Sequence, residues 1–159
     1  CADATEATVW ASLTGLLAPS YKNLNNGDTL DVTAAAVSLT LLGGIEESLQ
    51  AAGATETAET AGAMIAFVND SSGAALSGAT VSCEGCGTFY YFDADPSDGL
   101  FTNATTGINA ATDATAGGMV LLLAPPTSTY QVTAEGHDFD GLLFGGSAGV
   151  ATFAEFNAK

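Results

Sequence analysis

Three small constellations in this sequence carry side chains that could do chemistry. Cys83-Glu84-Gly85-Cys86 has the two-residue spacing of thiol redox motifs. A reactive pair of that kind needs a helix N-terminus to lower one thiol pKa. Here Thr80-Val81-Ser82 precedes it and Thr88-Phe89-Tyr90-Tyr91-Phe92 follows, both with the β-branched and aromatic content of strands. The pair therefore falls in a hairpin, and a structural disulfide between Cys83 and Cys86 is expected, in an oxidising compartment. Zinc would need two further soft ligands that the chain does not supply. Asp93-Ala94-Asp95-Pro96-Ser97-Asp98-Gly99 places three carboxylates and a turn glycine in one short stretch. Calcium takes about six to eight oxygens, and Asp93, Asp95 and Asp98 with backbone carbonyls could supply most of them. The spacing departs from an EF-hand loop and lacks its distal Glu, so a hydrated Asp-rich turn is preferred and calcium is the alternative. The only histidine, His137, stands beside Asp138 and could act as a base or a metal ligand. A solvated turn is the better reading of it. With no second histidine, Gly-x-Ser-x-Gly elbow or phosphate loop, no catalytic residue is expected, and calcium is the one cofactor considered.

The elements that must position these residues are limited by composition. The chain of 159 residues has room for one ordinary domain, or for a small domain with an extended N-terminal segment. Its 47% hydrophobic content can bury a core, and 19 Gly favour short strands joined by tight turns. The 18 Asp and Glu face only Lys22 and Lys159, a net charge of −16. Such a surface repels phosphate backbones and anionic headgroups, which excludes nucleic acid as a partner. The longest apolar run, Met119 to Pro126, is far short of the roughly 18 residues of a membrane span and reads as a strand.

Punctuation divides the chain near Ala61. In the first part, Val9, Trp10, Leu13, Leu16 and Leu17 fit a helical face while Val9, Ala11 and Leu13 also alternate as a strand. Asn25-Asn26-Gly27-Asp28 marks a turn. From Thr29 to Leu42 the pattern is β-like, with Leu30 and Val32 on one face and Val37, Leu39 and Leu41 on another after a slip through Ala34-Ala35-Ala36. Ile45 to Ala52 has helical spacing, and Ala54 to Thr60 has the composition of a linker. Beyond Gly62, strands are expected at Ala63–Val68, Gly78–Cys83, Thr88–Phe92, Gly118–Leu123, Thr129–Ala134 and Ala148–Phe156. Aromatics on both faces of Phe89-Tyr90-Tyr91-Phe92 imply that neither face of that strand is open to solvent.

Two stretches carry a resemblance. Phe67 to Val81, with Leu76-Ser77-Gly78-Ala79-Thr80-Val81 at its end, resembles the opening of carboxypeptidase-regulatory-like domains. Thr112-Asp113-Ala114-Thr115-Ala116-Gly117-Gly118 and Ala124-Pro125-Pro126-Thr127-Ser128-Thr129-Tyr130 through Gly136 resemble the later half of the same family. The resemblance covers residues 62–156, and the long stretch from Cys83 to Ala111 departs from it. It implies an all-β chain: an antiparallel Greek-key β-sandwich, transthyretin-like or immunoglobulin-like, of about seven strands over 62–159. A β-rich extension would occupy 1–61. Activity is not implied, because such modules accompany enzymes, transporters and surface proteins alike. The opening Cys1-Ala2-Asp3 resembles the mature start of a bacterial lipoprotein, which implies acylation of Cys1 and a membrane association through that lipid alone. An ordinary cleavage product would leave Cys1 as an odd thiol. The expected function is a structural subunit of an extracellular or cell-surface filament or envelope assembly, with outer-membrane anchoring where Cys1 is acylated. Its partners would be copies of itself, joined through the segment carrying Leu30, Val32, Val37, Leu39 and Leu41. The competing expectation is a monomeric surface lipoprotein that binds a ligand, glycan or protein, with calcium in the Asp-rich turn.

Overall fold

A computed structural model of the chain describes residues 6–9, 16–18, 20–23, 35–37, 39–95, 97, 99–103 and 107–159. Four short strands come first: β1 (Glu6–Val9), β2 (Leu16–Ala18), β3 (Ser20–Asn23) and β4 (Ala35–Val37). Helices α1 (Leu39–Ala51) and α2 (Ala58–Ala61) follow. The remaining strands are β5 (Ala63–Asn69), β6 (Thr80–Ser82), β7 (Phe89–Tyr91), β8 (Thr102–Asn103), β9 (Gly107–Ile108), β10 (Met119–Leu123), β11 (Ser128–Thr133), β12 (Leu142–Phe144) and β13 (Ala151–Asn157).

The chain is mostly β, with two principal sheets. A four-stranded sheet runs in the order β13-β5-β10-β7 and a three-stranded one in the order β12-β11-β6. Beyond β13 the first sheet continues through β3 and then β1, and β2–β4 and β8–β9 form two-stranded ribbons. The wholly antiparallel arrangement expected from the sequence needs correction. β13 runs parallel to β5 from Ala151↔Ala63 to Asn157↔Asn69, and parallel to β3 at Phe153↔Ser20 and Ala154↔Tyr21. The first and last strands of the pair of sheets enter from the same end. There the Ala63 N–H donates to the Val150 carbonyl at 2.9 Å, and Gly62, at φ 78°, lies against the Ser147 carbonyl.

A second correction concerns residues 39–42. Leu39 and Leu41, expected on a strand face, belong to α1, which begins six residues before the helix expected at Ile45. Leu42, Ile45 and Leu49 recur at helical spacing, and Ile45 and Leu49 are buried. Val37 is in β4, opposite Leu16, while Leu30 and Val32 lie outside the described residues. The tract at 54–60, read as linker composition, carries the single turn of α2. Thr57 caps it in a capping box with Thr60, and the N–H of buried Ala58 donates to Glu46 Oε1 of α1 at 3.0 Å.

Alternation along the four-stranded sheet sends side chains into two cores. Met64, Val68, Val120, Leu122 and Tyr91 point towards the three-stranded sheet, where they meet Tyr130, Leu142 and Phe144. Ile65, Tyr90, Phe92 and Leu121 point the other way and are covered by Ile45 and Leu49 of α1 and by Phe101. Each fully buried Leu, Val or Met of this kind contributes about 1.5–3 kcal/mol relative to exposure. The aromatic strand at 89–91 is thus covered on both faces. One tyrosine also ties the sheets together: the Tyr91 hydroxyl accepts the Val81 N–H at 2.8 Å. Burial pushes its pKa up, partly offset by that hydrogen bond.

The residues that carry the family resemblance hold turns. The buried Thr112 hydroxyl donates to the Leu76 carbonyl at 2.7 Å and accepts the Ala79 N–H at 3.0 Å, joining the start of β6 to the approach to β10. Asp113 caps the 3-10 turn Ala114–Ala116 through the Thr115 N–H. At Gly118, with φ 63°, an added Cβ would stand 2.5 Å from the Val68 carbonyl oxygen, so only glycine fits the entry to β10. The Asp70 carboxylate closes the turn after β5 by accepting from the Ser72 hydroxyl and from the Ser72 and Ala74 N–H groups, which holds it below the ordinary carboxylate range.

Candidate functional site

The expected disulfide is present: Cys83 and Cys86 are bonded, at a Cα–Cα distance of 5.4 Å, in the turn between β6 and β7. Both half-cystines pack against the core between the sheets. The loop it closes is short, so the loss of chain entropy on cross-linking is at the small end of the usual range. Replacing both cysteines by alanine is expected to lower unfolding free energy by about 2 kcal/mol or less. Urea titration of the double variant beside the oxidised parent checks this, and a loss well above that value would mean that the disulfide also holds the β6–β7 packing.

The Asp-rich turn is only partly described. The Asp93 carboxylate accepts the Asp95 N–H at 2.8 Å and Asn109 Nδ2 at 3.1 Å. Asp95 accepts the Ser97 N–H at 2.9 Å and is held below its ordinary pKa by the Ser97 hydroxyl first and then this backbone bond. Asp98 lies outside the described residues, as does Cys1. Among the described residues no group of three or more His, Cys, Asp or Glu converges to hold a metal ion. His137 sits in the turn after β11, its N–H donating to the Ala134 carbonyl at 3.3 Å. The neighbouring Asp140 pairs with Lys159 at 2.7 Å, with both side chains largely exposed. Such a surface pair adds little stability.

Two other features emerge that no single stretch of sequence announces. The first is the outer edge of β13. In a parallel ladder, alternate residues bond to opposite sides. Val150 accepts from Ala63 and Ala158 donates to Asn69, so Phe153 and Glu155 turn their backbone groups towards β3. β5 takes seven registers of β13, whereas β3 takes two.

The second feature is a groove of about 690 Å³ on the outer face of the four-stranded sheet. Ile65, Phe67, Met119 and Phe153 project into it from three adjacent strands, and Ile45 and Phe92 also line it. The Phe67 and Phe153 rings lie stacked with centroids 6.1 Å apart. Among the described residues, the polar side chains in the lining are Asp93 and Thr115. Thr115 is satisfied locally, its hydroxyl and N–H both donating to Asp113 Oδ1.

No protein-family model, curated protein or solved structure matches this chain. The functional reading therefore rests on the site geometry and on the resemblance read in the sequence. The usable sequence signal for the groove was the pair of large apolar residues at alternate positions of β5, Ile65 and Phe67, on the side facing away from the three-stranded sheet.

Proposed function

We propose that this chain is a non-catalytic β-sandwich of the carboxypeptidase-regulatory-like, transthyretin-like kind, serving as a structural subunit of a cell-surface assembly. The Greek-key arrangement is part of this reading, supported by the four- and three-stranded sheets and by the turn-forming roles of Leu76, Thr112, Asp113 and Gly118. The observation that carries the assembly is the β13 edge, which accepts a strand from the segment preceding α1. β1 to β4 pair with one another and connect to the rest of the chain at the start of α1. The same β3–β13 pairing made between copies would link subunits by strand exchange, with main-chain hydrogen bonds supplying affinity. The disulfide suits an oxidising surface environment, and the charge of −16 keeps the assembled surface hydrated.

Size-exclusion chromatography with light scattering, and negative-stain microscopy of the same fractions, test this. The parent chain is expected to form multimers whose population rises with concentration. Glu155→Pro removes one outward-facing N–H of β13 while sparing the ladder to β5, and Glu155 is exposed. It is expected to give monomers with an unchanged far-UV spectrum. A parent chain that stays monomeric at every concentration, or a proline variant that assembles like the parent, would overturn the proposal.

A further inference from the structure

We propose that the groove on the outer face of the four-stranded sheet is a binding site for a lipophilic organic cation. This inference is independent of the assembly reading. The volume of about 690 Å³ lies within the range of small-molecule sites, about 300–1,000 Å³, and the lining has their usual character: mainly apolar and aromatic, with one or two placed polar groups. The apolar body of the ligand would lie between Ile65, Phe67, Met119 and Phe153, on a floor set by three strands of a sheet that is packed on its other face.

The charge of the ligand follows from what the groove holds. Half-buried Asp93 is the ionisable group among the described lining residues. Its two described hydrogen bonds, from the Asp95 N–H and Asn109 Nδ2, orient the carboxylate and leave it with unused lone pairs. A cation can take those, and Phe67, Phe92 and Phe153 put aromatic rings in the lining; the face of such a ring attracts positive charge through its quadrupole. A lipophilic anion meets the opposite situation. Among the described residues the lining contains no Lys or Arg, and the whole chain has two lysines against 18 carboxylates. Lys159 is engaged with Asp140. The net charge of −16 further raises the local concentration of cations and lowers that of anions. Fatty acids and other carboxylate amphiphiles are thus disfavoured, whereas aromatic or alkyl ammonium and phosphonium compounds match.

Tetraphenylphosphonium and tetraphenylborate have nearly the same size and shape and opposite charge, which makes them suitable probes by isothermal titration calorimetry. The phosphonium is expected to bind saturably with one site per chain, and the borate is expected to show no saturable binding. Ala116→Trp fills the groove without altering net charge and should abolish phosphonium binding. Ala94→Trp, at an exposed lining position, provides the same test should the first variant fold poorly. Asp93→Asn should weaken the cation about tenfold. Diffuse attraction to an acidic surface would survive both tryptophan variants, so phosphonium binding unchanged in them overturns the proposal. Equal binding of the two probes, or binding of neither, also overturns it. Since the titrations are run on Glu155→Pro as well as on the parent chain, failure of assembly and failure of this site are read separately.

Discussion

Tyr130→Ala is expected to destabilise the chain by about 3–5 kcal/mol, the range for deleting a fully buried aromatic side chain. Tyr130 has no exposed surface, and its ring meets Phe144 edge-on with centroids 5.5 Å apart. Its neighbours, including Val120 and Leu122, belong to rigid strands of the facing sheet, so the cavity would close poorly. The hydroxyl adds a separable part. It donates to the Pro126 carbonyl at 3.0 Å, and Tyr130→Phe should lose about 1 kcal/mol, because that acceptor is left without its donor. Alkaline titration isolates the same group. Burial pushes the Tyr130 pKa up from 10.0 to about 12. Between those values the unfolded chain has released the proton while the native chain retains it, so the native state binds more protons and stability falls as pH rises. Below pH 10 this dependence is absent. Melting temperature should therefore decline from about pH 10 towards 12, and less steeply in Tyr130→Phe; Tyr91, also raised by burial, supplies the remaining slope. An alanine variant within about 1 kcal/mol of the parent in urea would mean that this core is not packed as described.

Phe101→Ala should have a comparable effect on the opposite face. Phe101 is almost fully buried, with its ring 4.7 Å from Phe92 and 5.8 Å from Tyr90, both edge-on. It is the anchor of the stretch between β7 and β10. The Asp93 N–H donates to the Leu100 carbonyl, the Asn109 N–H to the Phe101 carbonyl, and Asn109 Nδ2 reaches the Tyr91 carbonyl. Removing the ring is expected to cost about 3–5 kcal/mol in urea unfolding. It should also increase cleavage between residues 93 and 109 under limited proteolysis, because those hydrogen bonds are held in register by the ring. Phe101→Leu keeps most of the apolar volume and should lose much less. Global destabilisation without new cleavage in that stretch would show that Phe101 supports the core but does not hold the stretch.

The unequal legibility of the sequence has physical causes. Strand content was readable where the period was plain: Tyr130 and Val132 alternate in β11, and 89–92 carries aromatics for two covered faces. The uninterrupted run Ala63-Met64-Ile65-Ala66-Phe67-Val68 also signals a strand buried on both sides. Its neighbour was not readable, since an all-apolar strand satisfies a parallel or an antiparallel partner equally, and the choice of β13 depends on residues almost ninety positions away. Around Leu39 and Leu41, a short alternation coincided with the first turn of a helix whose decisive residues, Ile45 and Leu49, come later. The groove was the least accessible feature because residues 45, 65, 67, 92, 93, 119 and 153 meet only after the sheet is assembled. The disulfide was readable because both partners sit in one turn.

The parallel pairing of β5 and β13 also has a mechanical consequence. Tension applied where the chain enters β5 and where it leaves β13 pulls the two strands along their lengths in opposite directions. The ladder from Ala151↔Ala63 to Asn157↔Asn69 is then loaded in shear, with its hydrogen bonds sharing the force, whereas a terminal hairpin would peel apart one bond at a time. A chain drawn out by these two ends would resist extension at the seam where its first and last core strands lie side by side.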